Sequence, residues 1–156
     1  MNTYVAAIHY LLTHRGGTLA VAESCTGGLL AKLLTDTPGS SRYFMLGVVA
    51  YSNKAKENIL NIPADIIEKN GVVSLEVAKR LAENVRALAK TTYGIGITGI
   101  AGPHGATAGK PVGTTCITAC SQHSLICRQF RFKGSRQKIR ELACIQALSM
   151  LKEVIG

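Results

Sequence analysis

The chain predicts an α/β protein, a three-layer α/β/α sandwich around a mixed, mostly parallel sheet. Short apolar runs of β type alternate with helical patterns through its first two-thirds, the order that sets parallel strands between helices. Two adjacent strand patterns follow between residues 112 and 132, so at least one antiparallel member joins the sheet. With 156 residues, 47% of them hydrophobic, the chain can bury a core without disulfides or metal, and one domain over 1–156 is expected.

The elements follow in order. Val5 to Arg15 carries Val5, Ile8, Leu11 and Leu12 at helical spacing and stops at Gly16-Gly17. A strand is expected over Thr18 to Ala22, then a helix from about Thr26 to Thr35 and a turn cluster from Asp36 to Ser41. Val48 to Tyr51 reads as a buried strand, with Ser52-Asn53 capping a helix from Lys54 to Leu60. Pro63 opens a short helix that ends near Asn70-Gly71. Ser74 caps a long amphipathic helix with Val77, Leu81, Val85 and Leu88 on one face. Tyr93 to Thr98 is a glycine-interrupted strand leading into a loop that reaches Pro111. Strands over Val112 to Ala119 and Leu125 to Phe132 precede a last helix, started by Gly134-Ser135, that turns Ile139, Leu142, Ile145 and Leu151 inward.

Composition removes several classes of function. No apolar run approaches the roughly 20 residues a bilayer span needs. Met1-Asn2-Thr3-Tyr4 lacks the layout of a secretion signal, so a cytoplasmic protein with no membrane partner is expected. The five cysteines form no CxxC pair, the four histidines show no ligand spacing, and Asp36 and Asp65 are the sole aspartates. Chemistry with no metal is therefore expected. The formal charge of +9 favours an anionic partner. Five Tyr and three Phe with no Trp give the basic residues no stacking platform, so nucleic acid is set aside as the main partner.

The chemistry begins at Ala22-Glu23-Ser24-Cys25-Thr26-Gly27-Gly28. A hydroxyl at a strand-to-helix switch can act as a nucleophile under the unpaired N–H groups of the first helical turn, which can hold a phosphate or an oxyanion. Serine needs a base, no histidine stands near Ser24 in a recognisable pattern, and Ala22 departs from GxSxG. A lysine kept neutral by burial can serve, and Lys54 and Lys56 follow the second strand. If the first two strands are parallel neighbours, both open onto one crevice at their carboxyl ends. Only one of the two lysines can face Ser24, and the residues themselves leave open which one, or whether both are solvated.

Other patterns carry less. Ser135…Lys138 and Ser149…Lys152 match a motif too cheap to assign a site. Gly105 to Lys110 has three residues between its glycines, and Pro111 stands where a phosphate loop needs Ser or Thr; a lid or wall is expected there, not nucleotide hydrolysis. The small residues of Thr98 to Pro103 let backbone N–H groups approach an anion, or simply make a tight turn. Arg136 and Arg140 share a helix face, as a phosphate clamp or as a solvated pair.

Seven motifs appear in one order: Glu23 to Gly28, Pro38 to Ser41, Gly47 to Asn53 with Lys56, Gly71 to Ser74, Thr98 to Pro103, Lys110 to Thr114, and Arg136…Arg140. Together they resemble the CinA C-terminal domain family, whose stand-alone members are nicotinamide-nucleotide amidases, over residues 5 to 155. The resemblance implies hydrolysis of nicotinamide mononucleotide to nicotinate mononucleotide and ammonia in pyridine-nucleotide recycling. It implies Ser24 as nucleophile and Lys56 as general base, and it needs no cofactor. N–H groups near Thr26, Gly27 and Gly28 are expected to hold the oxyanion. The phosphate is expected at the Thr98–Gly102 loop, with Thr98 and Gly99 as its site residues, or at Arg140, with Tyr51 orienting Lys56 or stacking on the pyridine. A homo-oligomer is the expected assembly. The alternatives are an amidase of another small pyridine amide, or a non-catalytic relative that binds a nucleotide or a partner protein. Three positions depart from the family pattern: Ser135 and Thr92 stand where Asp is usual, and Ala106 where Gly is usual.

Overall fold

Leu19–Glu23 (β1) is buried at every position, as a strand with neighbours on both edges and helices on both faces must be. The computed structural model, which describes residues 3–156, pairs β1 in parallel with Phe44–Val49 (β2) and with Tyr93–Gly99 (β3). Thr114–Cys120 (β4) and Leu125–Arg131 (β5) continue the sheet by antiparallel pairing, in the order β2-β1-β3-β4-β5. Only β4 runs against the other strands, so the sheet is mixed and mostly parallel. Met1 and Asn2, on which the reading of the N-terminus partly rests, lie outside the described residues.

Alternation along β1 sorts the core into two. Leu19 and Val21 face the layer formed by Thr3–Arg15 (α1), Leu29–Thr35 (α2) and Arg136–Ile155 (α6), through Ile8, Leu30, Leu34 and Leu148. Ala20 and Ala22 face the layer of Asn53–Leu60 (α3), Ala64–Asn70 (α4) and Leu75–Ala89 (α5), through Leu60, Ile67, Val77 and Leu81. The glycines that interrupt β3 have a packing reason. A Cβ at Gly96 would lie 2.5 Å from the Ala82 nitrogen and 2.7 Å from Leu81 Cβ, so α5 can lie this close only where the strand has no side chain. Among the described residues no helix is long and apolar enough to cross a membrane.

Several boundaries differ from the sequence expectation. α2 starts at Leu29 and not near Thr26, because Gly27 and Gly28 take positive φ (58° and 94°) and extend the turn after Ser24. β2 spans Phe44–Val49 and stops before Tyr51; as an edge strand it alternates half-buried with exposed positions, which dilutes its apolar signal. Leu88 is 51% exposed, and Ala78 and Ala82 complete the buried face of α5. On α6 the inward seam is Ile139, Ala143, Cys144, Ala147, Leu148 and Leu151, with Leu142 and Ile145 only half-buried. Two departures from the family pattern are locally satisfied. Ser135 accepts the Lys138 N–H at 3.2 Å as the N-cap of α6, and the Thr18 N–H reaches Thr92 Oγ1 at 3.1 Å while the Thr92 N–H reaches Thr18 Oγ1 at the same distance.

Candidate active site

Three parallel strands end at one edge of the sheet, and the turns after them meet there. Ser24 follows β1, and its N–H donates to the Ile97 carbonyl of β3 at 3.1 Å. The turn after β2 is tied to the same place, since the Ala50 N–H donates to the Glu23 carbonyl at 2.9 Å. Ser52 then caps α3 by accepting the Ala55 N–H at 3.1 Å, which starts the helix so that its first turn aims Lys56 inward. Lys56 is 1% exposed, with Nζ 3.1 Å from Ser24 Oγ and donating to the Ala50 carbonyl at 2.9 Å. Lys54 points the other way, its side chain 83% exposed and 3.8 Å from Glu57. The geometry thus separates two lysines that the residues alone did not.

Burial holds the Lys56 amine below the ordinary lysine range, opposed only by the nearby Cys25. The same burial pushes the Cys25 thiol up to about 12, so this neighbour of Ser24 stays protonated at neutral pH. Of the two adjacent side chains that could attack an acyl carbon, the hydroxyl therefore has both the base and the contact. An amine without its proton can take one from Ser24 Oγ while still donating to the Ala50 carbonyl, which aims its lone pair.

The N-terminus of α2 is arranged differently from the expectation. The Glu23 carboxylate already accepts the N–H groups of Gly28, Leu30 and Ala31 at 3.1, 3.0 and 2.8 Å, and the Gly27 N–H donates to the Ser24 carbonyl at 3.0 Å. Gly27 and Gly28 thus have no N–H to offer an oxyanion. Within this turn the N–H groups of Cys25 and Thr26 take no carbonyl among the described residues.

A cavity of about 390 Å³ opens beside the pair, lined by Ser24, Lys56, Tyr51 and the loop from Thr98 to Gly102. Tyr51, Thr98 and Gly99 share this cavity with Ser24 and Lys56; Thr26, Gly27, Gly28 and Arg140 do not line it. Thr98 Oγ1 donates to the Val72 carbonyl at 2.9 Å, and Gly99 lets Cys25 pack against β4, since a Cβ there would sit 3.0 Å from Cys25 Sγ. Arg140 is directed elsewhere by its partner: it donates to the Thr26 carbonyl at 2.6 Å and braces the turn after Ser24. Arg136, one turn earlier, does line the cavity, donating to the Gly102 carbonyl at 2.7 Å and to Tyr51 Oη at 3.0 Å.

Sequence reasoning missed three contributors. Lys110, from the glycine-rich loop, lines the cavity and donates to the Asn70 carbonyl at 3.3 Å. His104 lines it as well. Neither Lys110 nor Arg136 pairs with a carboxylate among the described residues, and the cavity lining includes no Asp or Glu. Glu23 is the third, and its place just before the nucleophile and five residues ahead of Gly28 was the one available signal.

Comparison with known proteins places this arrangement. The CinA C-terminal domain model matches residues 1–155. A CinA-like protein of Desulfotalea psychrophila is 49% identical over 154 residues, which are 99% of this chain and 37% of that protein. A putative competence-damage inducible protein of Caldanaerobacter subterraneus is 46% identical over 145 residues, 93% of this chain and 35% of its own length. The chain thus spans about a third of the curated relatives it matches. Among solved structures, the competence/damage inducible protein CihA from Agrobacterium tumefaciens superposes with a TM-score of 0.97 at 31% identity, covering 99% of this chain and 95% of the other. A competence or damage-inducible protein from Enterobacter asburiae gives 0.95 at 29% identity, covering 99% and 98%. With the whole described fold and nearly every residue accounted for in this way, the chain belongs to the CinA C-terminal domain family.

Proposed function

We propose that this protein hydrolyses the carboxamide of nicotinamide mononucleotide, giving nicotinate mononucleotide and ammonia by a Ser-Lys mechanism. The observation that carries the reading is the buried Lys56 Nζ, held 3.1 Å from Ser24 Oγ with its proton affinity lowered by burial. The nucleotide fits the charge of the cavity, whose Lys110 and Arg136 have no carboxylate partner among the described residues.

In this mechanism Ser24 Oγ attacks the carboxamide carbon as its proton passes to neutral Lys56 Nζ. The carbonyl oxygen becomes an oxyanion and meets the N–H group of Cys25, which lines the cavity, such a donor contributing about 3 kcal/mol to the transition state. Lys56 then returns the proton to the departing nitrogen, the C–N bond breaks, and ammonia leaves a serine ester. Water attacks that ester with Lys56 again taking the proton. The acid is released and the Ser24 hydroxyl restored.

The test is ammonia release from nicotinamide mononucleotide by the unaltered protein, Ser24→Ala and Lys56→Ala. Either substitution is expected to lower kcat by about a thousandfold or more. Equal rates in Lys56→Ala would remove the proposed base. Release from another pyridine amide, but none from the nucleotide, would move the assignment to that substrate.

A further inference from the structure

Glu23 takes no part in the proton transfers above, yet it is a carboxylate 1% exposed, immediately before the nucleophile. A buried charge is unfavourable unless it is met. This one is met by three backbone N–H groups at the start of α2: Oε2 accepts from Gly28 and Leu30, and Oε1 from Ala31, at 3.1, 3.0 and 2.8 Å. The backbone of the same residue points toward the base. Its carbonyl accepts the Ala50 N–H at 2.9 Å, and the Ala50 carbonyl in turn accepts from Lys56 Nζ at 2.9 Å. One residue therefore ties the strand end, the helix after the nucleophile and the peptide that holds the base.

We propose that the Glu23 side chain is a positioning residue for the reaction: it clamps the first turn of α2 onto the end of β1 and so keeps Ser24 Oγ within reach of Lys56 Nζ. The inference rests on the hydrolase reading of that pair. Between the two anchors the turn has two internal bonds, from the Gly27 N–H to the Ser24 carbonyl at 3.0 Å and from the Leu29 N–H to the Thr26 carbonyl at 3.1 Å, and it passes through two glycines at positive φ. Arg140 braces its middle through the Thr26 carbonyl, and the Glu23 carboxylate holds the end that enters α2. The clamp also takes the helix N–H groups out of competition for the oxyanion, leaving that task to Cys25.

Position and charge predict opposite signs. A negative charge this near the oxyanion opposes its formation, so if charge were the main effect, neutralising Glu23 would leave the reaction unchanged or faster. A clamp predicts that the reaction slows. Glu23→Gln keeps the shape and one acceptor oxygen but turns an NH₂ toward one of the helix N–H groups; Glu23→Ala removes the clamp. Two readouts are taken per folded molecule, with the folded fraction set by circular dichroism: kcat and KM on nicotinamide mononucleotide, and the rate at which a fluorophosphonate labels Ser24. Both kcat and the labelling rate are expected to fall about tenfold in Glu23→Gln and about a hundredfold in Glu23→Ala, with KM within about threefold, since misplacing a reacting group by an ångström costs about that much. Unchanged or faster labelling and turnover in folded Glu23→Gln, with only a lower Tm, would overturn the clamp. If Glu23→Ala does not fold, Glu23→Gln carries the test alone. Labelling of Ser24 without ammonia from any pyridine amide would overturn the proposed function, and the labelling series would still decide the role of Glu23.

Discussion

A lysine can act as a base only while its amine is neutral, and at this site burial does most to reach that state. With desolvation holding Lys56 below the ordinary value of 10.5, kcat/KM on the amide is expected to rise with pH to a plateau whose apparent pKa lies below 10.5. Lys56→Arg, which keeps the charge but does not lose its proton, should abolish the rise and lower the rate about a thousandfold. Folding is linked to the same proton. Over the range between the lowered value and 10.5, the unfolded chain binds a proton that the folded amine has released, so stability increases with pH there. Urea titrations at a series of pH values should show that slope in the native protein and a flatter one in Lys56→Met. At this scale the sequence announced the hydroxyl through its setting after an apolar run. Spacing by itself could not separate Lys54 from Lys56, because their difference is the direction in which each leaves the helix; only the resemblance to the family implied Lys56.

The position of Lys56 is set by α3, a short helix whose stability depends on its ends. Ser52→Ala removes the bond from the Ala55 N–H and is expected to cost about 1 kcal/mol, measured as a lower urea midpoint at unchanged slope. Because Lys56 sits in the first turn of that helix, kcat should also fall, by about threefold to tenfold, with KM unchanged. The capping serines Ser52, Ser74 and Ser135 were legible because a cap is a local pattern, and all three accept the N–H expected of them. The start of α2 was not legible. The Leu and Ala residues between Thr26 and Thr35 suit a helix, but the buried Glu23 carboxylate gathers its N–H donors from Gly28 onward and delays the first turn. The edge strand β2 was read too late for a related reason, since its burial is decided by its place beside β1 and by solvent on its other side.

Across the whole molecule the charge of +9 is scattered, but around the cavity it is sorted. Lys110 arrives from one loop and Arg136 from the last helix, far apart in sequence, and no acidic residue lines the space between the walls. Salt screens such charges over about 10 Å at 0.1 M. Raising salt from about 50 to 300 mM should therefore raise KM for nicotinamide mononucleotide about threefold or more at constant kcat. The riboside, which keeps the pyridinium cation but lacks the phosphate, should show no such rise in KM, and an equal response from both would remove the charge argument. The amino-acid sequence by itself determined the layering, the caps and the family, because each is written in short motifs read along the chain. The tertiary structure alone decided which lysine is buried, which arginine lines the cavity and which braces a turn, and what fills the N-terminus of α2. Those outcomes depend on desolvation and on partners brought from other strands and helices, and no stretch of sequence contains either.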